Sequence, residues 1–333
     1  MAYDSAANDF ERGPMRILVT GGAGFIGSQL IGHRLERGDE VVCLDNFDDY
    51  YDPSIKRRNI RDYESQEGFH LVEGDIRDAE FLANLGKSQP LDAIVHLAAR
   101  AGVRPSIEDP ALYADVNLAG TSNVLELARH HGIRNFVFAS SSSVYGERKN
   151  VPFRESDRVD HPVSPYAATK KGGELLCHTY HHLFGLDVAC LRFFTVYGPR
   201  QRPEMAIHKF TRAIADGETV PMYGDGSAER DFTFIEDIVD GISRTIDRNS
   251  GYSVYNLGNH RMVTLRFMID TIGQALGIEP KIEVLPNQPG DVSRTCADIT
   301  VAAKELGYSP QTPFEQGIER FVAWFRNQRA ETA

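Results

Sequence analysis

The chain has 333 residues, 41% of them hydrophobic, which is enough to bury a large core in one large domain or two closely joined ones. Its formal net charge of −11 argues against coating a nucleic acid or binding an anionic membrane, since both roles need excess basic charge. No apolar run approaches the roughly 20 residues that span a bilayer, so no membrane segment is predicted.

The amino-terminal residues and the cysteines bear on where the protein works. Residues 1–14 have neither the basic nor the apolar part of a signal peptide, and we expect them to form a flexible tail. Neither disulfides nor a zinc site is predicted, because the four cysteines lack C-x-x-C spacing; they are Cys43, Cys177, Cys190 and Cys296. We expect a cytoplasmic protein that binds no metal.

Short β-branched runs alternate with helix-length amphipathic segments up to residue 196. This alternation predicts an α/β fold, a Rossmann-type doubly wound parallel sheet covered by helices on both faces. In chain order the predicted strands are residues 15–20, 40–45, 70–75, 93–99, 135–141 and 187–193. The predicted helices are residues 25–37, 54–63, 78–86, 111–131 and 165–184.

Beyond residue 196 the pattern becomes irregular, with Gly and Pro turns between shorter elements. We expect residues 15–196 to form the Rossmann domain. Residues 197–230 and 263–328 are predicted to form a smaller α+β substrate-binding lobe. Residues 231–262 carry a helix and a strand that partly return to the first domain.

A glycine cluster follows the first predicted strand and opens the first helix. Gly21, Gly24 and Gly27 are spaced G-x-x-G-x-x-G, and Gly22 with the last two also gives G-x-G-x-x-G. Without side chains, this turn lets backbone N–H groups approach a pyrophosphate, and the helix N-terminus faces the negative charge. A plain strand-to-helix turn gives the same spacing, so the glycines alone are a weak signal.

Acidic residues follow the next two predicted strands. Asp45 lies 24 residues after Gly21, where a carboxylate can accept hydrogen bonds from ribose hydroxyls and repel a 2′-phosphate. The pattern therefore favours NAD over NADP. Asp75 and Ile76 resemble an adenine contact, although an aspartate at that place is as often a helix cap.

Tyr166 and Lys170 lie four residues apart on one predicted helix, in SPYAATKKGG. A phenol, with a pKa of about 10, is a poor base at neutral pH unless a nearby cation favours the phenolate. Lys170 can supply that cation and can also hydrogen-bond the nicotinamide ribose. A surface pair is the alternative, because Tyr-x-x-x-Lys is common by chance.

With the glycine turn and the serine-bearing strand end FASSSSVYG, this pair resembles the extended short-chain dehydrogenase/reductase family, specifically its NAD-dependent nucleotide-sugar epimerases and dehydratases. Further matching segments are HLAAR, DVNLAGT, RFFTVYGPR, ERDFTFIEDI and PGDVSRTCAD, so that the resemblance covers residues 15–325. It implies additional contacts to NAD from Phe25, Ile26, Asn46, Leu97, Ala98, Ala99, Asn117 and Ser140.

By this resemblance, the Ser141 hydroxyl shares the sugar 4-oxygen with Tyr166 while hydride passes from C4 to NAD⁺. Related dehydratases and sugar-acid decarboxylases have Asp or Glu just after that serine and use it as acid and base at C5 and C6. This chain has Ser142 and Ser143 there. The serines favour simple oxidation and re-reduction, which is epimerisation at C4, although they can also be interpreted as a plain loop.

The choice of sugar depends on the segment RFFTVYGPRQRP, where many relatives have Asn in place of Thr195. A hydroxyl beside a guanidinium suits a sugar carboxylate, because Arg offers a planar donor fork. Arg202 is the candidate and Arg200 the less favoured neighbour. With DNFDDYYDPSIKRRNI and ARAGVRPSIEDP, the chain is most similar to the UDP-glucuronate 4-epimerase subgroup.

The remaining substrate contacts follow from the same resemblance. They are Arg230 and Arg294 for the diphosphate, Asp291 for the uridine ribose, Val220 and Tyr223 for the uracil, and Arg104 for the sugar or diphosphate. The arginines can instead be surface charges or form salt bridges between the lobes. The long helices 111–131 and 165–184 suggest a homodimer through a four-helix interface, as in relatives, although covering the sheet is their simpler role.

Three other functions remain open at this point. A UDP-glucose or UDP-N-acetylhexosamine 4-epimerase has the same fold, and neutral sugars give Arg202 nothing to bind. A UDP-glucuronate decarboxylase is less favoured because the carboxylate beside Ser141 is missing. A nonenzymatic NAD-sensing scaffold is disfavoured by the complete set of Ser141, Tyr166 and Lys170.

Overall fold

The computed structural model of the protein describes residues 13–88, 90–286 and 294–332. Most of the predicted tail, residues 1–12, lies outside the described residues, and so does Asp291. Over the described ranges, no helix combines the length and apolar character needed to cross a membrane. No group of His, Cys, Asp and Glu side chains in the same ranges is arranged to hold a metal ion.

The strands confirm the expected α/β class. In chain order they are Arg16–Thr20 (β1), Glu40–Asp45 (β2), Phe69–Glu73 (β3), Ala93–His96 (β4), Asn135–Ser141 (β5), Asp187–Phe193 (β6), Thr195–Tyr197 (β7), Thr219–Tyr223 (β8), Glu229–Phe234 (β9), Tyr252–Leu257 (β10), Met262–Thr264 (β11) and Lys281–Leu285 (β12). Seven of them form a sheet in the order β10-β6-β5-β4-β1-β2-β3, and every neighbouring pair is parallel. All six predicted strands are among these seven.

Helices cover both faces of this sheet. They are Phe25–Glu36 (α1), Pro53–Ile60 (α2), Ala79–Ser88 (α3), Val103–Glu108 (α4), Pro110–Ala114 (α5), Gly120–His131 (α6), Pro165–Phe184 (α7), Ala206–Ala215 (α8), Ile235–Arg248 (α9), Leu265–Leu276 (α10), Thr300–Leu306 (α11) and Phe314–Thr332 (α12). Strands buried on both sides need continuous apolar runs, and β4 is buried along its whole length.

One predicted helix, residues 111–131, is not continuous. After α5 the chain makes a π-helical turn at Asp115–Ala119 before α6 begins. Asn117 in that turn is buried, and its amide exchanges two hydrogen bonds with the backbone of Arg100, at 2.8 and 3.0 Å. The wider turn therefore accommodates a side chain that holds the segment after β4.

The chain returns to the main sheet after it has built a second unit. β7 and β11 flank β9 in a three-stranded sheet, and β8 pairs with β12. α9 then packs on α1, where Arg34 donates hydrogen bonds to Ser243 and Asp247 at 2.9 and 3.0 Å. β10 joins the main sheet beside β6. The division into domains stays a prediction, because one apolar core extends from β1 to α12.

Parallel pairing brings the carboxyl ends of the strands to one edge of the sheet. Thr20 pairs with His96, His96 with Phe138, and Ser141 with Phe193. Ligands bind outside this edge in open α/β sheets. The segments that follow β1, β2, β4 and β5 therefore face the same space.

Candidate active site

A cavity of about 390 Å³ lies at the carboxyl edge of the main sheet. It brings together most of the residues predicted from the sequence. These lining residues are Gly21, Gly24, Phe25, Ile26, Gly27, Asp45, Asn46, Asp75, Ile76, Leu97, Ala98, Ala99, Ser140, Ser141, Ser142, Ser143, Tyr166, Lys170, Thr195 and Arg202.

The glycine turn between β1 and α1 forms one end of the cavity. Gly21 has φ +69°, and a Cβ there would lie 2.8 Å from the Ala98 nitrogen. A Cβ on Gly27 would collide with the Gly21 carbonyl. α1 begins after Gly24 without any side-chain cap, so its first N–H groups remain for an anion. This bare, positively polarised turn fits the pyrophosphate of a dinucleotide.

Asp45 lies at the end of β2 beside the glycine turn and is almost fully buried. Its carboxylate accepts hydrogen bonds from the backbone of Ala23 and Phe47 at 3.1 and 2.9 Å. Lys56 on α2, another buried residue that lines the cavity, has its Nζ 3.5 Å from Asp45 Oδ1. The carboxylate is therefore fixed in position at the place expected for a ribose.

Asp75 lies next to Asp45 in the cavity wall. A side-chain hydrogen bond from Arg77, outweighing partial burial, lowers the pKa of Asp75 to about 2, and Asn46 donates a further bond at 2.9 Å. The alternative of a helix cap is not supported, since Phe81 of α3 donates its N–H to Asp78 instead. Asp75 remains ionised in the wall of the adenosine end.

The predicted catalytic residues meet where β5 ends and α7 begins. Ser164 caps α7 by accepting the Ala167 N–H at 3.1 Å, and Pro165 follows in the first turn. This start places Tyr166 against the end of β5, with Ser141 beside it in the cavity wall. Ser141 is held by Ser143, whose N–H it accepts at 3.2 Å.

Lys170 is closer to the strand than to the phenol. Its Nζ donates to the Ala139 carbonyl at 2.7 Å and lies 6.0 Å from the centre of the Tyr166 ring. Burial lowers the pKa of Lys170 to about 8. Burial also raises the pKa of Tyr166, and the cation that opposes this rise is Arg202. Arg202 is therefore a second cation beside the phenol, and the role predicted for Lys170 stays a prediction.

The serines after Ser141 line the cavity as predicted, but Ser140 has a different role. Its hydroxyl donates to Glu174 at 2.7 Å, behind the cavity, so only the rest of the residue faces a ligand. Within the described parts of the chain, the carboxylates that line the cavity are Asp45, Asp48 and Asp75. Asp48 pairs with Arg100 at 2.9 Å. Ser142 and Ser143 thus contribute hydroxyls where a dehydratase has an acid.

Thr195 and Arg202 also line the cavity. Arg202 Nε lies 3.1 Å from Glu204 Oε1, and its guanidinium lies over the ring of Tyr50. Arg200 points elsewhere and donates to the hydroxyl of Tyr63 at 2.8 Å. The preference for Arg202 over its neighbour therefore agrees with the geometry.

Several predicted contacts do not line the cavity. Asn117 is held behind it by the Arg100 backbone. Val220 is fully buried in the apolar core because β8 packs there, and Tyr223 at the end of that strand is half-buried elsewhere. Arg104 is exposed on α4.

The two arginines assigned to the diphosphate also lie outside the cavity wall. Arg230 belongs to β9. The backbone of Arg294 forms an isolated β-bridge with Glu229, the residue before Arg230. The carboxylate of Glu229 accepts a bond from Arg294 at 2.6 Å. For Arg294, this salt bridge is the alternative that the sequence left open.

The lining residues that escaped sequence analysis as site residues include Tyr50, Tyr51, Lys56 and Arg100. Three of them belong to the stretch DNFDDYYDPSIK that starts at Asp45. Paired tyrosines directly after a ribose-binding carboxylate were the available signal. Lys56 could not be found by spacing alone, because α2 must fold back for it to reach Asp45.

A parallel sheet with a glycine turn, a carboxylate after its second strand and a Ser-Tyr-Lys set define a short-chain dehydrogenase/reductase of the extended kind. The sequence matches the family described as GDP-mannose 4,6 dehydratase over residues 18–321. The chain belongs to this family, and the resemblance predicted from the sequence is confirmed.

Relatives and solved structures of the same fold have several activities. UDP-glucuronate 4-epimerase 1 of Arabidopsis thaliana is 44% identical over 96% of this chain and 79% of its own length. The Bacillus cereus UDP-glucuronic acid 4-epimerase, solved with UDP-glucuronic acid and NAD, has a TM-score of 0.88 and 34% identity, covering 94% of this chain and 100% of that one. The dTDP-glucose 4,6-dehydratase of Streptomyces venezuelae, solved with NAD, has a TM-score of 0.88 and 34% identity over 95% of this chain and 98% of that one.

Proposed function

We propose that the protein is an NAD-dependent UDP-sugar 4-epimerase and that its substrate is UDP-glucuronate, which it converts to UDP-galacturonate. One observation carries this proposal. Thr195 and Arg202 share a cavity with Ser141 and Tyr166, while serines stand where related dehydratases have acids. Relatives named UDP-glucuronate 4-epimerase support the same choice.

The residues of the chain suit NAD and the proton transfers at C4. Bound NAD supplies the hydride acceptor for the sugar C4 and returns the hydride. The glycine turn would hold the pyrophosphate and Asp45 the ribose hydroxyls, for the reasons of fit given above. Tyr166 takes the proton of the 4-hydroxyl, and Ser141 donates a hydrogen bond to the same oxygen. On return, Tyr166 gives the proton back while C4 is re-formed with opposite configuration.

The carboxylate of the sugar creates a hazard that the site must control. Oxidation at C4 of a hexuronic acid gives a β-keto acid, which can lose CO₂ when its carboxylate aligns with the carbonyl π system. Arg202 can bind that carboxylate as a fork, with Thr195 as a second donor. Because Ser142 and Ser143 offer no acid, protonation of an enol there is slow. These features favour epimerisation over decarboxylation and elimination.

The diphosphate and uridine contacts remain part of the proposal. Two negative charges in a protein of net charge −11 need dedicated cations. Arg230 and Arg294 lie on neighbouring segments and supply a pair of guanidiniums for this purpose. The same assignment gives Asp291 the uridine ribose.

A homodimer is the proposed assembly, and a reducing cytoplasm the proposed location. α4 and α7 contact each other and expose apolar side chains to solvent, including Ile107, Leu175 and Leu183 at 63, 58 and 61%. A second copy of these helices would cover that face.

The four cysteines are buried free thiols, which suits a reducing compartment.

The test is a product-resolved assay of the NAD-loaded enzyme with UDP-glucuronate, UDP-glucose and UDP-N-acetylglucosamine. We expect UDP-galacturonate without UDP-pentose. Tyr166→Phe should lower turnover at least 100-fold, by the usual weight of a general base. Arg202→Gln should raise the KM for UDP-glucuronate about 10-fold or more, the worth of a charged hydrogen bond.

Three results would contradict the proposal. UDP-pentose as main product would make the protein a decarboxylase. Faster conversion of UDP-glucose or UDP-N-acetylglucosamine would make it an epimerase of neutral sugars. Unchanged turnover in Tyr166→Phe would remove the assignment of Tyr166 as the base. Binding of free UDP to Arg202→Gln is the control, since the nucleotide does not contact that guanidinium under this proposal.

A further inference from the structure

The ring of Tyr50 lies between two cationic side chains of the cavity wall, Arg100 and Arg202. The guanidinium of Arg100 lies 5.3 Å from the centre of its ring, and that of Arg202 lies 5.7 Å from the same centre. All three side chains line the cavity. An aromatic ring attracts a cation to its π system, so the Tyr50 ring stabilises each of the two guanidiniums beside it.

The Tyr50 ring is itself held firmly. Asp48 Oδ1 accepts the Tyr50 N–H and a bond from Arg100, each at 2.9 Å. The Tyr50 hydroxyl packs beside Gly102, where an added Cβ would lie 2.9 Å from it, and the buried Tyr113 donates to the Ala101 carbonyl of the same segment at 2.7 Å. The ring is therefore tied both to the segment after β2 and to the segment after β4.

Tyr113 also connects this arrangement to the catalytic residue. Its ring meets that of Tyr166 edge-on, with ring centres 6.3 Å apart and an interplanar angle of 86°. A movement of Tyr50 would therefore shift the wall that packs on the catalytic phenol. Tyr50 and Tyr113 therefore connect the two arginines to the catalytic phenol of Tyr166.

Arg202 has little else to fix it. Among the described residues, the carboxylate that pairs with Arg202 is that of Glu204, and 40% of the Glu204 side chain is exposed. Exposed pairs of this kind contribute only about 0–1 kcal/mol and are screened by salt. The Tyr50 ring is the better-fixed of the two neighbours, because Asp48 accepts the Tyr50 N–H and the ring packs beside Gly102.

We propose that Tyr50 is a positioning residue that determines specificity: its ring holds the Arg202 guanidinium in the orientation that receives the carboxylate of an acidic sugar. This inference rests on the proposed function, in which Arg202 binds that carboxylate. It assigns to the ring, rather than to the hydroxyl, the preference for UDP-glucuronate over uncharged hexoses.

The experiment compares Tyr50→Leu and Tyr50→Phe in the NAD-loaded enzyme. Two quantities are measured, the KM for UDP-glucuronate and the competitive inhibition constant of UDP-glucose. Leucine removes the ring, so we expect the KM for UDP-glucuronate to rise about 3- to 10-fold, the worth of a partly desolvated cation–π contact. The inhibition constant of UDP-glucose should change less than the KM. Phenylalanine keeps the ring and should stay within about 2-fold of the parent on both quantities.

A double-mutant cycle gives a second, independent readout. In the Arg202→Gln background, Tyr50→Leu should no longer raise the KM for UDP-glucuronate, because there is no guanidinium left to orient. Tyr63→Leu is the matched control. Tyr63 stacks with Arg200 at 5.3 Å outside the cavity, and its loss should leave the KM within about 2-fold of the parent value.

The outcomes separate the inference from the proposed function. Failure of the parent enzyme to convert UDP-glucuronate would overturn the function itself. Normal conversion with an unchanged KM in Tyr50→Leu would overturn the inference alone, and so would equal losses in Tyr50→Leu and Tyr50→Phe. Additive effects of Tyr50→Leu and Arg202→Gln would show that the ring acts independently of Arg202 and would also overturn it.

Discussion

Lys170 is a buried ammonium whose proton is held weakly. Its Nζ donates to the Ala139 carbonyl, and the groups that face it are Tyr166, Cys177 and the buried ring of His96. None of these carries a fixed negative charge near neutral pH. Burial therefore outweighs the opposing effect of Cys177 and lowers the pKa of Lys170 to about 8.

The charge of Lys170 should consequently be lost as the pH rises through about 8. The charged form is the acidic form, so the help it gives to the Tyr166 phenolate falls above that pH. Lys170→Arg keeps a permanent charge at the same place. We expect the ratio of kcat/KM for Lys170→Arg to that of the parent to increase from about pH 7 to pH 9.5.

The ratio isolates Lys170, because both proteins retain Tyr166 and its own titration. Initial rates with UDP-glucuronate at fixed ionic strength give the measurement. A ratio that stays constant over that interval would show that the amine does not change its charge there. NAD content, measured at each pH, controls for loss of the cofactor.

At the scale of elements, an ion pair ties α7 to β5 and β6 beneath the reacting groups. Glu174 of α7 accepts two bonds from Arg192 of β6, at 2.8 and 2.9 Å, and one from Ser140 of β5. Burial opposes the charge on Glu174, but these donors outweigh it and lower its pKa. Arg192 continues the network to the hydroxyl of Tyr145 at 3.0 Å.

Glu174→Ala should therefore be strongly destabilising. It leaves the Arg192 guanidinium buried without its carboxylate, and the free energy of unfolding should fall by about 3–5 kcal/mol. Glu174→Gln keeps one acceptor and should cost less. Urea denaturation followed by circular dichroism measures both changes.

Asp270→Ala is the comparison for this prediction. Asp270 pairs with Arg266 on the exposed side of α10, at 2.8 Å, and its loss should change the unfolding free energy by less than about 1 kcal/mol. If Glu174→Ala were no more destabilising than Asp270→Ala, the buried pair would not be what ties α7 to the sheet.

The elements that sequence analysis predicted best are those whose burial is set by local pattern. β2, β5 and β6 have the predicted ends because continuous apolar runs suit strands covered on both faces. The glycine turn was accessible for a similar reason, since it depends on residues close in the chain. Ser141 and Tyr166 lie 25 residues apart, and their pairing was predicted through the family resemblance. The interruption at Asp115–Ala119 was not predicted, because it depends on Asn117 meeting the distant backbone of Arg100.

Contacts that depend on tertiary packing were harder to predict. Val220 was assigned to the base but lies in the core, because β8 pairs with β12 and packs on the helices. Tyr50 and Lys56 reach the cavity only after α2 folds back against β2. The spacing of residues in the sequence does not show that α2 folds back. The part of the cavity around Arg100 and Arg202 could therefore be predicted only in part.

At the scale of the whole molecule, the exposed apolar face of α4 and α7 argues for a second copy. Leu175 and Leu183 both lie on α7, and each exposes more than half of its side chain. Several large apolar side chains exposed on packed helices are what an interface would cover. The neighbouring Arg129 of α6 lies over the ring of Phe184 and extends the same face.

Leu175→Asp combined with Leu183→Asp should convert the dimer to monomers, since two buried charges at an interface have no partner. Light scattering after gel filtration at micromolar concentration gives the mass directly. Val284→Asp on β12, where 64% of the side chain is also exposed, should leave the dimer intact. A parent protein with the mass of one chain would refute the proposed assembly.

The late position of β10 in the chain has a consequence for biosynthesis. β6 ends at Phe193, but its neighbour β10 begins at Tyr252, after the chain has made β7, β8, β9 and α9. A ribosome adding about 5–20 residues per second needs roughly 3–12 s to cover that interval. Throughout it, the nascent sheet presents the unpaired backbone of β6, an edge that invites pairing with other chains. High-level expression should therefore benefit from chaperones that shield this edge until the last strand emerges.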